Sequence, residues 1–592
     1  MTEPRAEYER RLSTIATALA AGDRRHLLIS NLRLLLFAGA AAMAWASFIR
    51  PLLHPGWLFV PVLAFAVLMV VHARVLNAQD RRLRAQRYYQ RGLSRLDGTW
   101  AGSGPDGARF IGEHLYARDL DLFGRGSLFQ LLDTARTEAG EDTLADWLRA
   151  PAPLTEIQAR QQAVAELRDR VDFRETLAVL AAEAHVSRTG TLTRWAAATP
   201  VGFTAMHALL FGGCAAVSAV LLLARVQEWI GWAVVLAWLV VPSAVALLHR
   251  ARVWQAIHGA DAAADDLALL EALLTRLETE TFTASKLTAL RGALDGRERP
   301  SQLVSRLRRY ISARDVLRNE LIRPFALLLL VHSQASVAID RWHQAHRASL
   351  ASWIAAIGEF EALAALATYG FEHASDPFPE LSAEGPVFEG VSLGHPLLSE
   401  GVAVTNSVSL GGPSPHVLIV SGSNMSGKST LLRAVGINAV LAYAGGPVRA
   451  ERLRLSPMSI GATLRVEDSL QEGHSRFYAE ILKIRDIVAL TEGERPVLFL
   501  LDEILHGTNS HDRRIGAEAV VKALAAAGAI GLVTTHDLAL TQLESAMTPA
   551  ARNVHFEDRI ENGRMVFDYR MRDGVVERSN AIDLMRAVGL RV

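Results

Sequence analysis

The chain has 592 residues, half of them apolar, and a formal net charge of zero. Such a length exceeds one hydrophobic core, and the composition excludes a disordered or polyelectrolyte class. Zero net charge removes the cheapest sign of a nucleic-acid binder, although local basic patches could still supply one. Cys214 is the single cysteine, so an intramolecular disulfide and any multi-cysteine metal site are excluded, and its apolar surroundings predict a buried, inert thiol. Only Lys286, Lys428, Lys483 and Lys522 are lysines, so arginine carries nearly all the basic charge.

In chain order, a mostly polar segment (1–33) leads into two apolar runs, "LLLFAGAAAMAWASFI" (34–49) and "WLFVPVLAFAVLMVV" (57–71), joined by "RPLLHPG". Two more, "FTAMHALLFGGCAAVSAVLLL" (203–223) and "WIGWAVVLAWLVVPSAVALL" (229–248), are joined by "ARVQE". A helix needs roughly 17–25 apolar residues to cross a bilayer core. The second pair meets that length, and flanking residues can complete the first. The runs therefore predict transmembrane hairpins over 34–71 and 202–248, four spans in all, in preference to buried core helices. Trp45, Trp57, Trp229, Trp232 and Trp238 lie in the runs, several near their ends, as interfacial anchors do. Residues 72–95 of the linker 72–122 hold seven arginines (74, 81, 82, 84, 87, 91 and 95) against Asp80, while each turn holds one. The positive-inside rule then predicts a multi-pass protein of the inner or plasma membrane, with both termini and the segment between the hairpins in the cytoplasm. The long polar stretch before the first run argues against a signal peptide. "FALLLLV" (325–331) is too short to span and reads as core.

Residues 249–375 carry helical periodicity, as in "LALLEALLTRLETE" (267–280). Arg291, Arg297, Arg299, Arg306, Arg308, Arg309, Arg314, Arg318 and Arg323 make a basic stretch there. It could hold DNA phosphates or anionic lipid headgroups, or be a solvated helix face.

Residues 376–592 change character to α/β. "HVLIV" (416–420) precedes "SGSNMSGKST" (421–430), which fits G-x-x-x-x-G-K-[ST] as Gly422, Gly427, Lys428 and Ser429. Glycines there let backbone N–H groups turn onto phosphate oxygens at a helix N-terminus, Lys428 reaches the β- and γ-phosphates, and Ser429 ligates Mg²⁺. "PVLFLLDEI" (496–504) is an apolar run ending in two carboxylates, as a strand buried on both faces requires. Asp502 is placed to hold the Mg²⁺ shell, and Glu503 to orient and deprotonate the attacking water. "AIGLVTTHD" (529–537) predicts a third strand, ending at His536, where an imidazole can sense the γ-phosphate.

"GSNMSGKSTLLRAVGINAVLAYAGGPVRA", "DEILHGTNS", "EDSLQEGHSRFYAEI" (467–481) and "VVERSNAIDLMRAVGL" (575–590) resemble the ATPase domain of the MutS family of DNA mismatch-repair proteins. Residues 126–167 are similar to the start of that family's helical core, and 357–373 to the helix returning from it. The resemblance implies a P-loop ATPase domain (376–592) of MutS/ABC-like α/β fold beside an α-helical core and lever domain (123–201 and 249–375), interrupted by the second hairpin. It implies ATP and Mg²⁺, with Gly422, Ser423, Asn424, Met425, Ser426, Gly427, Lys428, Ser429 and Thr430 binding ATP. Ser429 and Asp502 serve the metal, Lys428 the phosphates, Glu503 is the base and His536 the switch histidine. It further implies a homodimer through the ATPase domains, with Ser475 facing the partner's nucleotide. Departures are Ser423, Ser426 and Leu505 where proline, glycine and glycine are usual, Arg476 for threonine and Ala581 for glycine. The mismatch-reading domain with its Phe-x-Glu wedge has no counterpart, since Phe477 and Glu480 have the wrong spacing, and no helix-turn-helix extension precedes Val592. Mismatch recognition of the familiar kind is therefore not expected.

The leading expectation is a membrane-anchored MutS-family ATPase that moves helical levers and binds DNA in repair- or recombination-related work. A second expectation drops the DNA and passes ATP-driven motion to the hairpins or a membrane partner. A third, an ABC-type exporter, is disfavoured by four scattered spans and the lack of an LSGGQ sequence.

Overall fold

A computed structural model describes residues 3–49, 54–182, 190–315, 323–399, 401–465, 476–505, 509–536, 539–561 and 564–576. Contacts divide the chain into two compact units. The first holds Met1–Asp133, Leu144–Glu175 and Ala364–Val592, and the second holds Thr134–Thr143 and Thr176–Leu363.

Among the described residues, the first unit contains ten strands: β1 (Glu380–Leu381), β2 (Val387–Leu393), β3 (Asn406–Gly411), β4 (Val417–Ser421), β5 (Arg452–Leu455), β6 (Ser459–Thr463), β7 (Val497–Leu501), β8 (Ile530–Thr535), β9 (Ala551–Glu561) and β10 (Arg564–Asp573). The larger sheet has the order β10-β9-β4-β8-β7-β6, and the smaller has β1-β5-β2-β3. Every neighbouring pair from β9 to β6 is parallel; only β10 runs antiparallel. Each residue of β4, β7 and β8 is buried, which explains why these strands read as unbroken apolar runs rather than alternating ones. Ser421 pairs with Thr535, Leu501 with Val533, and Thr463 with Leu501. That register brings the carboxyl ends of β4, β8, β7 and β6 to one edge, where open parallel sheets bind ligands.

The same unit includes the first apolar hairpin. Helices Pro4–Phe48 and Phe59–Leu96 pair through a short turn of helix at Pro55–Leu58. No break falls where the polar segment 1–33 meets the apolar run. Leu34, Leu35, Phe37, Phe59 and Val62 are exposed, while polar groups meet between the helices. Arg33 lies 2.8 Å from Nδ1 of His72, and Gln79 donates to Asp23 at 2.7 Å. Arginine only donates, so Nδ1 of His72 accepts, which leaves the proton on its Nε2 for Nδ1 of His26, 2.9 Å away.

The polar ends of this hairpin are built into the unit. Glu372, fully buried, accepts from Nε (2.6 Å) and Nη2 (2.5 Å) of Arg95 and from the Tyr8 hydroxyl (3.0 Å). Tyr8 packs on Tyr89 and Phe371, and its ring crosses so near Gly92 that a Cβ there would sit 2.4 Å from it. Arg174, also buried, donates to Thr368 at 2.9 Å and to the carbonyls of Leu167 and Arg168. Burial raises the Tyr8 hydroxyl well above its ordinary pKa, with the charge of Glu372 adding to the shift.

The second unit is helical. Its hairpin, Ala205–Val226 against Trp232–Trp238 and Val240–Ala262, is tied by Trp238 Nε1 donating to Ser218 at 2.9 Å. The buried carboxylate of Asp340 takes the amides of Val201, Gly202 and Phe203 at the entry to this hairpin. Cys214 is buried in an apolar cluster with Phe203, Phe211 and Val337. Three of the six arginines in the basic stretch whose side chains are described form ion pairs: Arg291 with Asp295, Arg306 with Glu298 and Arg308 with Glu271, while Arg297, Arg299 and Arg309 are exposed. Arg318 and the side chains of Arg314 and Arg323 lie outside the described residues.

Among the described residues, five helices are long and apolar enough to cross a membrane: Pro4–Phe48, Gly56–Leu96, Ala205–Val226, Trp232–Ala262 and Val331–Glu372. In the first four, at most 17% of the most apolar stretch is buried, against 72% in the fifth. The fifth is therefore a core helix, and the four helices of the hairpins alone present bare apolar faces.

Glu361, on that core helix within the second unit, accepts from the Arg136 amide at 3.0 Å and from the Thr137 hydroxyl. Burial pushes its carboxyl up to about 7 against these donors. A carboxyl raised on folding stabilises the fold fully below its unfolded pKa of about 4.5 and loses that contribution as pH rises through about 7. Glu361→Gln is expected to flatten the pH 4.5–7 fall in thermal stability of the helical unit by about 3 kcal/mol. Melting curves of both proteins across that range check it.

Candidate functional site

The loop after β4 is shaped by residues with positive φ: Gly422 (147°), Met425 (69°) and Gly427 (106°). A Cβ on Gly422 would lie 3.0 Å from the Phe556 carbonyl, and one on Gly427 3.2 Å from Tyr569, so both glycines serve close approach as well as dihedral freedom. The helix Lys428–Ala444 starts directly behind the loop, turning its N-terminus toward the sheet edge. Lys428 is buried, and its Nζ donates to the carbonyls of Gly422 and Ser423, both at 2.9 Å. Ser426 Oγ also donates to the Ser423 carbonyl, at 2.8 Å, while the buried Ser423 hydroxyl has no hydrogen-bond partner among the described residues.

Glu503 stands across the gap. One of its carboxylate oxygens is 3.6 Å from Lys428 Nζ and 3.6 Å from His536 Nδ1. Its backbone is left-handed (φ 47°), and its amide donates to Thr534 Oγ1 at 3.0 Å. The same hydroxyl donates to Asp502, whose own amide is held by the Thr463 carbonyl at 2.9 Å. The three strands and the loop thus bring Lys428, Asp502, Glu503 and His536 together. Ser475 lies outside the described residues.

A cavity of about 470 Å³ opens over the loop. Asn424, Met425, Gly427, Lys428, Ser429 and Thr430 line one side, with Glu503 at its edge. The opposite wall comes from the segment between β2 and β3 and from β10, and includes His395, Val404 and Tyr569. Tyr569 sits at a register shift in β10, with φ 55°. Asn406 holds that bulge from both sides, donating to the Tyr569 carbonyl (3.0 Å) and accepting the Met571 amide (2.7 Å). Burial, with Arg433 adding to it, lowers His395 to about 4, so its ring is neutral at physiological pH. Sequence reasoning missed this wall and the bridging Thr534. Strand alternation gives a tyrosine or asparagine no mark that it borders a site.

Residues 418–591 match MutS domain V. This stretch is a MutS-family domain. Similar proteins include the DNA mismatch repair protein MutS of Geobacillus thermodenitrificans, 35% identical over 179 residues, which are 30% of this chain and 19% of that one. The MutS of Shouchella clausii is 29% identical over 309 residues, 50% of this chain and 34% of its own. DNA mismatch repair protein MSH6 of Arabidopsis thaliana is 33% identical over 227 residues, 36% of this chain and 16% of its own. The chain spans no more than about a third of the length of these relatives. The matched domain V begins inside β4 and takes in the glycine loop, both carboxylates and His536, so the family likeness and the cavity coincide in one unit.

The site suits a nucleoside triphosphate. The loop and helix N-terminus offer donors, Lys428 supplies a compact cation, and the cavity has room for a ribose and base beside Tyr569. It suits Mg²⁺ too, which is commonly held by one or two protein oxygens together with phosphate and water. Asp502 and Ser429 are the protein oxygens at hand.

Proposed function

We propose that the chain is a membrane-anchored MutS-family ATPase, using a site completed across a homodimer to move its helical parts, with DNA as its partner in repair- or recombination-related work. The observation that carries this reading is the meeting of Lys428, Asp502, Glu503 and His536 at one edge of the parallel sheet, where Lys428 and Glu503 line the cavity over the glycine loop. With ATP in place, Lys428 exchanges the carbonyls of Gly422 and Ser423 for β- and γ-phosphate oxygens, and the loop amides cradle the rest. Glu503 orients a water and accepts its proton, and His536, beside the same carboxylate, responds to the γ-phosphate. Ser429 and Asp502 would hold Mg²⁺, which would neutralise phosphate charge. Tyr569 offers a face for the base. Ser475 reaches the partner's nucleotide, so ATP joins two domains and hydrolysis parts them. DNA enters because the similar proteins bear DNA mismatch repair names.

The exposed apolar hairpins support a location in the inner or plasma membrane, with the arginine-rich ends and domain V in the cytoplasm. A second reading, in which ATP-driven motion acts on the membrane or a membrane partner without DNA, is favoured by one observation. The first hairpin is built into the unit holding domain V through buried Arg95, Glu372 and Tyr8.

One experiment tests and separates these readings: ATPase activity of the detergent-purified protein, with and without homoduplex, mismatched and branched DNA at two salt concentrations. Stimulation that weakens steeply with salt is expected for the leading reading, because phosphate contacts release counterions. Activity indifferent to every DNA selects the second. Release of the native protein from membranes by alkaline carbonate would overturn the anchor in both.

A further inference from the structure

The segment from Asp502 to Leu505 carries two left-handed residues that are not glycine, Glu503 (φ 47°) and Leu505 (φ 60°). Cβ-bearing residues disfavour that conformation, so other groups must hold it. Three amides of the segment are each held from a different element. Asp502 donates to Thr463 at the end of β6, Glu503 to Thr534 of β8, and Leu505 to the buried carboxylate of Glu480. Glu480 belongs to the helix Arg476–Ala489. One turn further along this helix, Lys483 meets Asp119, which is fully buried. The Asp119 carboxylate also accepts the amides of Leu464 (2.7 Å) and Arg465 (2.9 Å), immediately after Thr463. Its carbonyl accepts Arg433 Nε, from the helix behind the glycine loop, at 3.1 Å. Asp119 comes from the segment following the first hairpin, far from domain V in sequence.

We propose that Glu480 is a positioning residue for hydrolysis, fixing the strand end that aims Glu503, and that Asp119 anchors the helix that carries it. This rests on the ATPase reading above. Without the Glu480 acceptor, the Leu505 amide loses its partner and the left-handed segment can relax. A displacement of about 1 Å at a reacting group can cost about 100-fold in rate. ATP affinity rests on Lys428 and the glycine loop, which Glu480 does not line, so the effect falls on kcat.

The test uses the full-length protein in detergent. Glu480→Ala is expected to lower kcat by about 10- to 100-fold, with KM and the Kd of a fluorescent ATP analogue within about twofold of wild type. Glu480→Gln keeps a carbonyl for the Leu505 amide and is expected to retain at least about a third of wild-type kcat. Lys483→Met, which frees the Glu480 helix from Asp119, added to Glu480→Ala should lower kcat by less than about twofold more, since both act through one helix. Hydrogen exchange supplies a readout independent of turnover: the peptide containing Leu505 should lose protection in Glu480→Ala and keep it in Glu480→Gln. Unchanged exchange in Glu480→Ala, or equal loss of kcat and ATP affinity in both variants, overturns the proposal and leaves the ATPase reading standing. A wild type that binds no ATP overturns the ATPase reading and this proposal together.

Discussion

Glu503→Gln is expected to lower ATP turnover by at least about 100-fold while ATP binding persists. General-base catalysis contributes roughly 100- to 10,000-fold, and glutamine keeps the shape of the side chain but cannot take a proton. The glutamate lies 3.6 Å from the Lys428 ammonium and 3.6 Å from His536, so it is held at the site by groups the substitution leaves in place. Removing its charge leaves Lys428 unopposed for phosphate, so affinity should hold or rise. If ATP joins two domains, the variant should also accumulate as an ATP-bound dimer. Phosphate release, binding of labelled ATP and light scattering measure the three effects. Turnover within twofold of wild type would remove Glu503 from the mechanism.

The second large effect concerns stability. Arg95→Met leaves the Glu372 carboxylate buried with its arginine gone and, among the described residues, only Tyr8 as a remaining side-chain donor. Removing one partner of such a pair typically costs about 3–5 kcal/mol, whereas replacing both by apolar side chains is often nearly neutral. Arg95→Met alone should therefore lower the melting temperature of the detergent-solubilised protein. The double variant Arg95→Met/Glu372→Leu should recover most of the loss. If the pair also transmits motion from domain V to the first hairpin, the double variant will keep its stability and ATPase while losing any ATP-dependent change in that hairpin, read with a spin label at exposed Phe37. A double variant as unstable as the single one would mean that packing around Tyr8, and not the ion pair, holds the hairpin.

Local chemistry made much of the site legible. Gly422, Gly427, Lys428 and Ser429 follow a spacing dictated by phosphate geometry, and Asp502 and Glu503 end a run that only a doubly buried strand tolerates. The apolar hairpins announced themselves by length. Other features had no local mark. The polar residues before the first apolar run belong to one continuous helix whose start is packed against Glu372, and hydropathy registers lipid-facing surface, not polar groups docked in protein. The ion pairs within the basic stretch had no local mark either, because Glu271 and Glu298 meet Arg308 and Arg306 only after folding. Val331–Glu372 is as long and nearly as apolar as a span, and its burial alone separates it from one.

The sequence by itself determined the motif chemistry of domain V, its parallel core strands and the four bare apolar helices, because each depends on residues near one another in the chain. Only the tertiary structure decided that Tyr569 and Asn406 would wall the cavity, that Thr534 would bridge two carboxylate positions, and that Asp119 would brace β6. Those relations join residues hundreds of positions apart or on separate strands. Their partners are selected by register and packing, which no short stretch of sequence encodes.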